Sequence, residues 1–139
     1  MELLIDIGNT NLKWTQYFPE TDLVLEPMRV LRHHGGIPLD LLAAWEGLAK
    51  PGQIRVASVG APKVAEGLSR VCRAKWGQEP QFAFPRSVWR GVKVAYADPS
   101  RLGVDRWLAL LAAHQLLSQP VLILDAGTAI TYDLLLSDG

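Results

Sequence analysis

The stretch Asp6-Ile7-Gly8-Asn9-Thr10-Asn11-Leu12-Lys13 gathers a carboxylate, a glycine, three small polar side chains and an ammonium group just after an apolar run. Gly8 lets backbone approach a ligand closely, Asn9, Thr10 and Asn11 bring donors suited to phosphate oxygens, and Lys13 adds a point positive charge. Asp6 suits a hydrated magnesium ion that arrives with a nucleotide. Taken alone, the same residues also serve as a polar hairpin turn with one exposed lysine. The pattern returns 119 positions later, where "LILDAGTAI" sets Asp125, Gly127 and Thr128 after a second apolar run. Two such turns could hold the phosphates of one nucleotide, and a carboxylate at a strand end is costly to bury unless it is paired or meets a cation. A third cluster, "YADPSRLGVDRW", holds Tyr96, Gly103, Asp105 and Arg106. Arg106 can fork onto a carboxylate or phosphate, and Asp105 can accept a hydroxyl proton. A charged pair on a solvated helix face would explain those two residues as well. The chain has neither GxxxxGK[ST] nor GxGxxG, so a P-loop and a Rossmann site are unsupported.

The elements that must position these groups follow from periodicity. Leu3 to Ile7 and Leu12 to Phe18 read as a β-hairpin around the first polar turn. Asp22 to Arg32 carries Pro27 inside and reads as an edge strand or a broken one. Helical spacing marks Pro38 to Ala49 and, more sharply, Pro62 to Trp76, which is stopped by Gly77. Strands are expected at Gln53 to Val59 and Gln81 to Phe84, with a loop from Pro85 to Pro99. Arg101 to Leu117 is the strongest helix, with a stripe of Leu102, Trp107, Leu108, Leu111, Ala112 and Leu116. Val121 to Leu124 reads as a strand covered on both faces, and Ile130 to Leu136 as its partner. The order implies an α/β fold with a mixed sheet.

Composition narrows the classes. The 139 residues carry 14 basic and 14 acidic side chains, so the basic footprint of a nucleic-acid binder is missing and no direct nucleic-acid partner is expected. The single Cys72 excludes a disulfide framework or a multi-thiolate metal site and fits a reducing, cytoplasmic setting. The opening residues lack a signal-peptide pattern, and no run of 18 apolar residues suggests a membrane partner. His33 and His34 read as a solvated loop, His114 as structural, Cys72 as a core thiol, and the five tryptophans as packing.

Three segments in order, "DIGNTNLK", "RLGVDRWLALLAAH" and "LILDAGTAITYDLLLSDG", resemble the type III pantothenate kinases, members of the actin-like superfamily that also holds sugar kinases and heat-shock chaperones. The resemblance implies an actin-like (ribonuclease H-like) domain over residues 1–119, with a five-stranded mixed sheet and flanking helices. Residues 120–139 would be the first hairpin of a second, similar domain otherwise absent from this chain. It implies phosphorylation of pantothenate by ATP, the first step toward coenzyme A. By position, Asp6, Gly8, Asn9, Thr10, Asn11 and Lys13 match the first ATP phosphate loop and Thr128 the second. Asp105 matches the proton acceptor, while Tyr96, Gly103, Val104, Asp105 and Arg106 match the pantothenate-binding positions. Asp125 matches a monovalent-cation position, for potassium or ammonium, beside the magnesium carried with ATP. A homodimer is expected, and this segment alone is expected to be inactive because the family runs to about twice its length. A regulatory relative without turnover and a superfamily kinase for another hydroxylated small molecule are the competing readings.

Overall fold

The apolar run that begins the chain forms a strand, β1 (Glu2–Ile7), in which burial alternates: Leu3, Ile5 and Ile7 are buried while Leu4 and Asp6 point to the other face. In a computed structural model that describes residues 1–21 and 27–139, the chain forms two compact units, Met1–Ala83 and Phe84–Gly139. In the first, β1 pairs antiparallel with β2 (Asn11–Tyr17) and parallel with β4 (Ile54–Ser58). An edge strand, β3 (Arg29–Arg32), joins β2, and β5 (Gln81–Phe82) joins β4. The order β3-β2-β1-β4-β5 is the mixed five-stranded sheet foreseen from the sequence. β3 occupies the edge expected for Asp22 to Arg32; residues 22–26 of that stretch lie outside the described residues.

Two helices, α1 (Leu39–Trp45) and α2 (Pro62–Trp76), supply the rest of this core. α1 stops at Trp45 rather than Ala49, because Glu46 and Gly47 turn the chain. α2 keeps its foreseen bounds: Pro62 opens it, and Gly77, left-handed at φ 62°, ends it with its N–H donating to the Arg73 carbonyl. Leu41, Trp45, Val64, Leu68, Cys72 and Trp76 pack with Leu3, Ile5, Ile7, Leu12 and Trp14. Trp14 meets Trp45 edge-on at 5.8 Å between centroids, and Trp45 meets Trp76 at 5.2 Å.

In the second unit, the expected loop from Pro85 to Pro99 contains a hairpin, β6 (Val88–Trp89) and β7 (Val92–Lys93). Its two-residue turn, Arg90-Gly91, takes positive φ at both positions, the geometry that matches strand twist. A Cβ at Gly91 would come within 2.9 Å of the His114 ring, which packs there. A short 3-10 turn, Pro99–Arg101, precedes α3 (Val104–Leu116), so the helix starts three residues later than expected. Its buried face is Val104, Trp107 and Leu110, while Leu108 and Leu116 are exposed, a rotation from the expected stripe. The hairpin of β8 (Val121–Ala126) and β9 (Ile130–Leu135) packs on α3 and β7 through Ile123 and Leu135. The expected double coverage of β8 does not hold: Leu122, Leu124, Ile130, Tyr132 and Leu134 leave one apolar face about two-thirds exposed. Among the described residues, no helix is long and apolar enough to cross a membrane.

Candidate functional site

In the first unit, the turn between β1 and β2 is closed by the Gly8 N–H donating to the Asn11 carbonyl at 2.9 Å. Register sets Asp6 opposite Lys13, and their side chains form a half-exposed ion pair at 3.5 Å. Such a pair contributes about 1 kcal/mol or less, so its value lies in keeping both charges beside the turn rather than in stability. β4 ends against the same place: Val59 and Gly60 both donate to the Ile7 carbonyl, at 2.9 and 3.0 Å. A Cβ on Gly60 would stand 2.4 Å from the Gly8 carbonyl oxygen, so only glycine fits there. Asn9 is exposed at the tip. Asp6, Gly8, Asn9, Thr10, Asn11 and Lys13 are thereby brought together as the sequence suggested.

Sequence reasoning missed His33. It is buried, not part of a solvated loop, and its Nε2 lies 2.8 Å from the Gly8 carbonyl. The two groups are 25 residues apart, and a histidine before two glycines carries no local sign of that contact.

The second unit holds the other cluster. Gly103 precedes α3 in an extended conformation, and Asp105 sits in the first helical turn, its Oδ1 accepting the Arg106 N–H at 2.8 Å. Val104 is buried against the core of this unit. Arg106 forks onto Asp133 in β9: Nε donates to Oδ2 at 2.8 Å and Nη2 to Oδ1. The side chains are 25% and 14% exposed. The Asp133 carboxylate, followed by the Tyr96 hydroxyl, holds the guanidinium more firmly charged than usual, pushing its pKa up. Two of the three guanidinium nitrogens are spent on Asp133, and Nη1 is not. Tyr96, Arg106 and Asp133 line a cleft of about 340 Å³, with Val94, Leu102 and Tyr132 as apolar wall. Asp133, unnoticed in the sequence, is 27 residues from its partner, although it lies inside the last of the three resembling segments.

Asp125 is near the end of β8 and exposed, and Thr128 is exposed in the turn before β9, which the Gly127 N–H closes by donating to the Ala129 carbonyl. Among the described residues, no three His, Cys, Asp or Glu side chains converge as a metal cage. Asp125 can therefore give a cation one carboxylate, with carbonyl, phosphate or water oxygens completing the shell. Asp6, already paired with Lys13, supplies one carboxylate beside the turn, so a magnesium ion there would need phosphate and water oxygens to complete its shell.

Residues 2–139 match the family model described as type III pantothenate kinase. Among curated relatives, the type III pantothenate kinase of Nitrosococcus oceani is 38% identical, over 100% of this chain and 53% of that protein. That of Halorhodospira halophila is 36% identical, over 100% of this chain and 56% of its own length, and that of Idiomarina loihiensis 37%, over 99% and 55%. The chain spans about half the length of these relatives. With a family model covering it from residue 2 to its last described residue, the chain belongs to the type III pantothenate kinase family.

Proposed function

We propose that the protein carrying this chain transfers the γ-phosphoryl group of ATP to the primary hydroxyl of pantothenate, giving 4'-phosphopantothenate, the first step of coenzyme A synthesis. The observation that supports this most directly is the meeting of Tyr96 and Arg106 on one cleft at the start of α3, in a chain matched almost throughout by a family of that description. Tyr96 and Gly103 to Arg106 bind pantothenate. The turn from Asp6 to Lys13 and the hydroxyl of Thr128 serve the ATP phosphates.

Asp105 is the base. Its Oδ1 is held by the Arg106 amide, which leaves Oδ2 for the substrate proton. The hydroxyl oxygen forms a bond to the γ-phosphorus, the bond from that phosphorus to the β–γ bridging oxygen breaks, and ADP leaves. The proton passes to Asp105 and on to water. Because the transition state of phosphoryl transfer is loose, positioning and charge stabilisation carry most of the rate. Magnesium bound with ATP would neutralise phosphate charge, and potassium or ammonium at Asp125 would do the same in part.

The finer architecture belongs to the same proposal. Residues 1–119 form a first actin-like domain and residues 120–139 begin a second, whose further strands cover the exposed apolar face of β8 and β9. The working form is a cytoplasmic homodimer. Asp105→Asn in the full-length protein tests the central role: with ATP and pantothenate saturating, kcat should fall by about 10²–10⁴-fold. A variant as fast as wild type removes Asp105 as the base.

A further inference from the structure

His33 follows β3 and is one of the two polar residues buried among the described residues. Its ring is hydrogen-bonded to the phosphate turn at the Gly8 carbonyl oxygen, 2.8 Å from Nε2. A carbonyl can only accept, so Nε2 carries the hydrogen. The other ring nitrogen, Nδ1, faces the Gly35 N–H at 3.4 Å, and an amide N–H can only donate, so Nδ1 is bare. The two contacts together select one neutral tautomer. The His33 backbone reinforces the ring, its N–H donating to the Thr10 carbonyl at 3.0 Å.

These bonds matter for what the turn presents. The Asn11 carbonyl accepts from Gly8 N–H, the Thr10 carbonyl from His33 N–H, and the Gly8 carbonyl from the His33 ring. Three of the four carbonyls between Gly8 and Asn11 are thus tied to protein donors. A turn that receives phosphate works only if its carbonyls are kept back, since a peptide flipped about Gly8 would set an oxygen against the phosphate. Gly60 stands close behind the same oxygen, but a glycine supplies no donor from a side chain, so the ring is what fixes it.

We propose that His33 is a positioning residue for the ATP-binding turn, its Nε2–H holding the Gly8 carbonyl so that the turn stays in its anion-receiving form. The proposal rests on the reading of Asp6 to Lys13 as a phosphate turn. It assigns His33 no contact with nucleotide or pantothenate.

The test uses the full-length kinase with His33→Leu, which keeps bulk and loses the donor, and His33→Gln, whose amide nitrogen can reach where Nε2 lay. The dissociation constant and KM for ATP, KM for pantothenate, kcat and Tm are measured for each. His33→Leu should weaken ATP about tenfold, the effect of losing one hydrogen bond to a half-buried carbonyl, with KM for pantothenate within twofold of wild type. His33→Gln should recover most of that loss. Unchanged ATP affinity in a folded His33→Leu variant overturns the proposal, as does an equal rise in both KM values or a failure of His33→Gln to recover. Should His33→Leu not fold, nitrogen chemical shifts of the wild-type ring decide: hydrogen on Nε2 supports the proposal and hydrogen on Nδ1 overturns it. Lys13→Gln separates the two levels of reading. If that variant binds ATP as wild type does, the phosphate turn itself is misassigned; if ATP is weakened by Lys13→Gln and not by His33→Leu, only the role of His33 is lost.

Discussion

Replacing Asp133 by alanine removes both acceptors of the Arg106 fork at once. The magnitude follows from its geometry. Hydrogen bonds to charged groups contribute about 1.5–3 kcal/mol each, exposed ion pairs less than about 1, and breaking a fully buried pair costs about 3–5. With Arg106 25% and Asp133 14% exposed, the pair lies between these limits, and about 2 kcal/mol is the expected loss. At the length of the relatives, about twice this chain, that corresponds to a Tm lower by roughly 4–8 °C. Asp133→Asn keeps one acceptor and should lose about half as much. The functional effect should be separate and larger: an Arg106 released from its fork is no longer held in place on the cleft wall, so KM for pantothenate should rise while KM for ATP stays level. A double-mutant cycle with Arg106→Met isolates the coupling from the general cost of truncation. A coupling below about 0.5 kcal/mol, with an unchanged KM for pantothenate, would refute the claim that Asp133 orients Arg106.

Gly60→Ala places a methyl 2.4 Å from the Gly8 carbonyl oxygen, and no flexible side-chain end can give way. It should cost about 1–3 kcal/mol in denaturant unfolding and weaken ATP in equilibrium binding, with pantothenate affinity retained. Burial, then the charge of Glu79, pushes the Cys72 thiol up to about 11. The folded state therefore favours the protonated thiol: its contribution to stability is complete below the ordinary thiol pKa of about 8.5 and is lost as pH rises toward 11. Labelling by a thiol reagent at pH 8 should be slow in the native protein and fast once urea unfolds it.

The elements carried by local pattern were legible in the sequence. Leu3 to Ile7 form an apolar run stopped by the polar residues from Gly8, and α2 runs from a proline to a left-handed glycine, so both could be bounded closely. The first turn was legible because its residues are contiguous. The β6–β7 hairpin was not: its strands are two residues each, and Arg90 adopts φ 49° where asparagine or aspartate would have given a signal. α3 was found but rotated, since leucines lie on more than one side of it and only packing decides which are covered. His33 and Asp133 escaped for one shared reason. Each acts on a partner 25 or 27 residues away, a distance set by strand pairing and by how helix meets hairpin, and no window along the chain contains both ends.

The parity of β1 has a consequence for how the protein can change. Odd-numbered positions there are covered by the helices, and Asp6 is even. Deleting one residue upstream of Asp6 within the strand would swap the two sides, driving the carboxylate in among Trp45 and Leu68 and turning isoleucines out to water. Lengthening the connection between α1 and β4 alters no such phase. Insertions and losses along this family should therefore gather in the connections and be purged from the six residues that lead into the turn.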